Sequence, residues 1–182
     1  MKTILKLACI VCLGSGWLRG ADALSYAETK RLDPFEVTFS VPSTSGLIGK
    51  PFVIELRVTN VSAVDQKLGY LEGFLQATKV QVFNLTTSDE APLTLLGRNE
   101  QDSISQRYLE KKLAPGESVT LRVPMLQRLF DLTLPARYRI EVLWLPQTAK
   151  ISPTLEEYQA MKANPPKSLA FAAEFSMNPG PW

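Results

Sequence analysis

The sequence predicts an all-β protein: an antiparallel Greek-key sandwich of seven or eight strands, with one short helical insertion near the C-terminus. Three observations lead there. Apolar and polar residues alternate with a spacing of two through much of the chain, turn residues interrupt that alternation, and a Leu-Pro-x-x-Tyr arrangement (Leu134 to Tyr138) precedes the strongest strand pattern.

The 182 residues open on a secretory signal peptide over 1–23. Lys2 and Lys6 give a positive start, Ile4 to Leu18 is mostly apolar, and Ala21-Asp22-Ala23 is the small-x-small pattern expected before cleavage after Ala23. Lys6, Gly14, Ser15 and Gly16 break the apolar stretch, which makes it too short for a membrane span, so no stable membrane insertion is expected after cleavage. Both cysteines, Cys9 and Cys12, leave with it. A cysteine-free exported domain needs no oxidant, which favours a bacterial periplasmic or extracellular setting over a disulfide-built animal domain. Two sequons, Asn60-Val61-Ser62 and Asn84-Leu85-Thr86, would matter only in a glycosylating host.

Residues 24–34 are polar and mixed in charge, and read as a short leader or linker before a single domain over 35–178. In the first strand Phe35, Val37, Phe39 and Val41 share a face. Pro42 to Pro51 is a turn region, and Phe52, Ile54, Leu56 and Val58 line the next strand. Leu68 to Leu71, Lys79 to Phe83 and a short Leu93 to Leu96 are the middle strands, and Gly97 to Gln106 is a polar loop. Leu113-Ala114-Pro115-Gly116-Glu117-Ser118 is a turn into a strand carrying Val119, Leu121 and Val123. Tyr138, Ile140, Val142 and Trp144 mark the strongest strand. In the preceding corner the Tyr138 ring is expected inside, with its hydroxyl bonded to backbone a few residues upstream, which is a structural role. Thr154 and Glu157 form a capping box for a helix from about Leu155 to Ala163, closed by Asn164-Pro165-Pro166. Phe171, Ala173, Phe175 and Met177 form the last strand. A chain of this length buries about 68–70% of its unfolded surface and needs no metal or disulfide.

Gly49-Lys50-Pro51 before a strand, Val58-Thr59-Asn60-Val61-Ser62 at its end, the Pro115-Gly116-Glu117 turn and the Leu134 to Tyr138 corner together resemble bacterial immunoglobulin-like sandwich domains. Fibronectin type III modules and the intracellular proteinase inhibitor family of bacilli are similar at this level. The resemblance implies the fold and, by analogy alone, a proteinase inhibitor. Ala136 stands where the corner usually has glycine, the helix is an addition, and no functional residue carries over.

There is no histidine, which removes Ser-His-Asp and Cys-His catalysis and histidine zinc sites. Glu156 and Glu157 are neighbours on the expected helix, about 100° apart, and cannot flank one bond. Asp89-Glu90 and Glu100-x-Asp102 lack the spacing of a calcium loop, and Ser103 and Ser105 lack a Ser-x-x-Lys context. We therefore expect no enzyme, no cofactor and no metal. Loss of Lys2, Lys6, Arg19 and Asp22 takes 20 basic and 18 acidic residues to 17 of each, so no nucleic-acid partner is expected either.

What remains is a binding domain for another envelope or extracellular protein, with a carbohydrate-binding module as the alternative. Arg137 and Arg139, outward on their strand with Arg57 and Arg122 on others, form a basic stripe if those strands are neighbours. The plainer expectation pairs them with Glu55, Glu117 and Glu141. Phe74, Tyr108 and Tyr158, with Tyr70 and Trp182, are aromatic candidates for a partner surface. The loops Leu71 to Leu75 and Gly97 to Arg107 and the Pro146 to Pro166 insertion are the expected recognition segments. A carbohydrate module needs exposed coplanar aromatics, whereas the alternation turns Trp144 inward.

Overall fold

The computed structural model describes residues 25–41, 43–71, 78–101, 108–123, 125–144 and 167–180. In chain order the first strands are β1 (Tyr26–Leu32), β2 (Phe35–Val41), β3 (Ser45–Leu47), β4 (Ile54–Asn60), β5 (Gln66–Leu71) and β6 (Thr78–Asn84). Helix α1 (Leu95–Gln101) follows, then β7 (Tyr108–Leu113), β8 (Ser118–Val123), a 3₁₀ turn (Leu126–Arg128), β9 (Ala136–Trp144) and β10 (Leu169–Asn178). One sheet has the order β1-β2-β4-β8 and the other β3-β10-β9-β6, while β5 and β7 form a separate two-stranded ribbon. The molecule is an all-β sandwich with a Greek-key order: β4 and β8 are neighbours, yet the chain between them visits the other sheet to lay down β6.

The core is where the two alternating faces meet. From the first sheet come Phe35, Val37, Phe39, Ile54, Leu56 and Val58; from the second come Ile140, Val142, Trp144, Phe171 and Phe175, all buried. Aromatic rings bridge the layers: Phe39 lies 6.0 Å from Phe171, Phe35 meets Trp144 edge-on at 6.5 Å, and Phe52 stacks on Phe175 at 4.5 Å. Each such side chain contributes about 1.5–3 kcal/mol by leaving water.

Four expectations are corrected. Tyr26 to Leu32, expected within a leader or linker, form a strand that pairs antiparallel with β2 along its whole length. Its half-buried positions are Tyr26, Glu28, Lys30 and Leu32, a two-residue alternation hidden by charge, since long polar side chains bury their stems and keep their heads in water. Leu93 to Leu96 is not a strand: Leu93 makes one bridge to Phe130, and helix α1 begins at Leu95. Thr94 caps that helix, its Oγ1 accepting from the Gly97 N–H at 3.1 Å. Gly97 to Gln101, expected as loop, belongs to the same helix. Gly97 is required there, because a Cβ would lie 2.2 Å from the Leu129 carbonyl oxygen. The strand count is ten among the described residues, and one of them, β3, runs parallel to β10. The expected helix at Leu155 to Ala163 lies outside the described residues.

Two polar devices hold the frame. The Tyr138 hydroxyl donates to the Leu134 carbonyl at 2.9 Å while its ring, 2% exposed, stacks on Phe175. Burial, reinforced by the Asp131 carboxylate, raises the Tyr138 phenol above its ordinary value, and the Leu134 bond works the other way. Asn60, fully buried, donates through Nδ2 to the Val64 and Leu113 carbonyls at 2.8 and 2.9 Å, and its Oδ1 accepts from Ser62. Its backbone closes the Ala114 to Glu117 turn by giving to the Glu117 carbonyl and accepting from Gly116, where φ is +78°.

Asn60→Ala is expected to destabilise the fold by about 2–3 kcal/mol, since it strands buried partners, and urea denaturation measures it. Tyr138→Phe should cost about 1 kcal/mol at neutral pH. A raised phenol pKa contributes stability that is complete below the ordinary tyrosine value near 10 and is lost as pH rises through the folded value. Stability curves at rising alkaline pH should therefore fall less steeply for the phenylalanine variant.

Candidate functional site

A trough of about 500 Å³ runs over the outer face of the second sheet. Ala170 and Ala172 of β10 give it a low floor, because methyl side chains leave the sheet surface uncovered beside longer neighbours. Lys79 and Gln81 of β6 and Arg139 and Glu141 of β9 rise on one side. The other wall is β1, whose alternation turns Tyr26, Glu28 and Lys30 toward β10.

The β1 wall is internally wired. Glu28 lies 2.9 Å from the Lys30 ammonium and accepts from the Tyr26 hydroxyl at 3.0 Å. Hydrogen bonding to Lys30 holds the Glu28 carboxyl below the usual carboxylate range, partial burial opposing it. Burial, with the Glu28 contact, raises the Tyr26 phenol. Lys30 also donates to the Ala170 carbonyl, and its ammonium sits 5.0 Å from the Phe171 ring centre. Across the trough Arg139 pairs with Glu141 at 3.0 Å. Each wall thus carries one ion pair, Glu28–Lys30 and Arg139–Glu141, and Lys79 adds a further cation.

Of the residues expected at a partner surface, Arg139 lines this trough and Arg137 stands on the same strand face, 2.6 Å from Glu174 of β10. The basic stripe does not form, because Arg57 and Arg122 belong to the first sheet, on the opposite side of the sandwich, where Arg122 pairs with Glu55 at 3.0 Å. Glu117 pairs with Lys111 instead of an arginine. Phe74 and Tyr158 lie outside the described residues, as do Trp182 and nearly all of the expected recognition loops. Tyr108 and Tyr70 lie on the ribbon strands β7 and β5. Tyr26, Glu28, Lys30, Lys79 and Gln81 were missed by sequence reasoning. The first three fell in the presumed leader, and the signal that finds them is the spacing of two linking Tyr26, Glu28, Lys30 and Leu32. Among the described residues no three acidic side chains gather as metal ligands, and no helix is long and apolar enough to cross a membrane.

No protein-family model matches the chain, and no curated protein matches it. Among solved structures, a mutant (D270A) beta-glucosidase from Listeria innocua in complex with laminaribiose is similar at 16% identity and a TM-score of 0.36, covering 86% of this chain and 16% of its own. The same enzyme with glucose gives 16% identity and a TM-score of 0.34, covering 84% of this chain. The chain spans about 16% of the length of these enzymes.

Exposed ion pairs such as Arg139–Glu141 contribute about 0–1 kcal/mol. Arg139→Ala should therefore keep its melting temperature within a few degrees of the wild type by calorimetry, leaving it a clean probe of the trough.

Proposed function

We propose that this is an exported, non-catalytic binding domain that recognises another protein of the bacterial envelope or surroundings. The observation that carries the reading is the trough itself. It is about 500 Å³, open to solvent, floored by two alanines and walled by the ion pairs Glu28–Lys30 and Arg139–Glu141, which suits a segment of polypeptide better than a small molecule held in an enclosed pocket. Its polar groups are fixed by their neighbours, so a ligand meets an ordered surface and little side-chain freedom is lost on binding. The β-sandwich frame supports the reading by analogy with immunoglobulin-like domains, because such sandwiches serve widely as rigid carriers of recognition surfaces. Inhibition of a proteinase is the narrower form of the proposal. The carbohydrate alternative has less support, since Trp144 packs against Phe35 in the core and offers no platform.

Immobilised protein exposed to envelope and culture fractions of its host should retain one dominant protein. Gln81→Arg, which projects a long side chain into the trough, and Arg139→Ala should each reduce that retention about tenfold or more. Retention of polysaccharide with no protein, unaffected by either substitution, would overturn the proposal in favour of the carbohydrate module.

A further inference from the structure

We propose that the recess beside Tyr138 binds an arginine of another polypeptide, its guanidinium among Asp89, Glu90 and Asp131 and its backbone carbonyl on the Asn84 amide. The recess shares no lining residue with the trough, so this holds or fails independently of the partner reading above.

The recess, about 400 Å³, opens where β6 runs out into residues 85–92 and residues 131–135 lead into β9. Asp89, Glu90 and Asp131 line it, and none of the three is ion-paired among the described residues. Asp131 uses one oxygen, Oδ1, to accept from the N–H and hydroxyl of Thr133. Glu90 takes only long contacts of 3.4 Å from Gln81. By contrast Glu55, Glu141 and Glu174 on the sheets each hold an arginine of the chain itself.

An acidic cluster alone is ordinary solvated surface, and Asn84 is what sets this one apart. It is 8% exposed, its Oδ1 accepts from the Thr86 and Thr87 N–H groups, and its Nδ2 makes no hydrogen bond to any described residue. Among the described residues no fully enclosed side-chain nitrogen or oxygen lacks a partner, so the small opening left to Nδ2 is into the recess that Asn84 lines. A donor left open at so buried a site calls for an acceptor from outside.

The ligand must therefore bring positive charge and an acceptor together. The three carboxylates do not gather as a metal-ligand set, which favours a broad cation over a compact ion. A guanidinium is planar, carries five donors and can bond more than one carboxylate at once. Its methylene stem finds apolar surface on Pro92, on Leu134, which is 62% exposed, and on the Tyr138 ring. The peptide carbonyl of the same arginine supplies the acceptor for Nδ2.

Nuclear magnetic resonance titration of the isotope-labelled protein with acetyl-Gly-Arg-Gly-amide tests this. The backbone amides of Thr87, Asp89, Glu90 and Thr133 should shift in a saturable way. The citrulline peptide, equal in shape but uncharged, should bind about tenfold or more weakly. Butylguanidinium, which has the stem and the cation but no carbonyl, should bind about threefold or more weakly because Nδ2 stays open. Asp89→Asn with Asp131→Asn, which keeps the Oδ1 that holds Thr133, should weaken the arginine peptide about tenfold while the rest of the spectrum is kept. Absence of saturable shifts at these amides, equal binding of the citrulline peptide or of butylguanidinium, or indifference to the double substitution would overturn the proposal.

Discussion

Asn60 ties the structure together at the point where its parts would otherwise come apart. It closes β4 opposite Phe35 of β2, holds the loop to β5 through the Val64 carbonyl, and grips the end of β7 through the Leu113 carbonyl. Its backbone also braces the turn into β8. An apolar side chain here could fill the space but could not bind the Val64 and Leu113 carbonyls or the Ser62 amide and hydroxyl. The frame thus depends on one amide group finding all its partners at once, and it ties β4 to the ribbon β5–β7, whose Leu68 and Leu113 enter the core.

The alternating strands were legible because burial on one face leaves a direct record in composition. Phe35 to Val41, Ile54 to Val58 and Tyr138 to Trp144 each carry that record, and all form strands with the expected residues inside. The Tyr138 corner was readable for a different reason, a local motif whose hydroxyl bond spans only four residues. Strand β1 was not legible, because its inward positions are Tyr26, Glu28 and Lys30, whose aliphatic and aromatic parts are covered while their polar ends meet each other. Leu93 to Leu96 misled in the opposite direction: its leucines suggest a strand, but the Thr94 cap and the fit of Gly97 beneath Leu129 decide for a helix. Arg139 was visible as an outward residue, yet its neighbours in the trough come from β1, β6 and β10, and nothing local in the chain announces that meeting.

The side of the sandwich where β1 approaches β10 has a different character from the rest. Here a strand built from charged and aromatic residues stands beside a strand built from alanines, and the contrast in side-chain size creates the relief. Since Lys30 touches both the Ala170 carbonyl and the Phe171 ring, it sets the spacing of the two strands as well as the charge of the wall.

The burial of Asn60 and Asn84 bears on how the chain must be produced. Both head sequons, yet Asn60 is fully enclosed with its amide nitrogen engaged, and Asn84 is 8% exposed with its Oδ1 taken by Thr86. In a eukaryotic secretory pathway, sugar is added to the chain as it emerges, before these side chains are enclosed. A glycan on Asn60 would occupy the nitrogen that must meet Val64 and Leu113, and the sandwich could not close around it. Secretion in yeast or animal cells thus becomes a race between folding and glycosyltransfer, one that a bacterial host never runs.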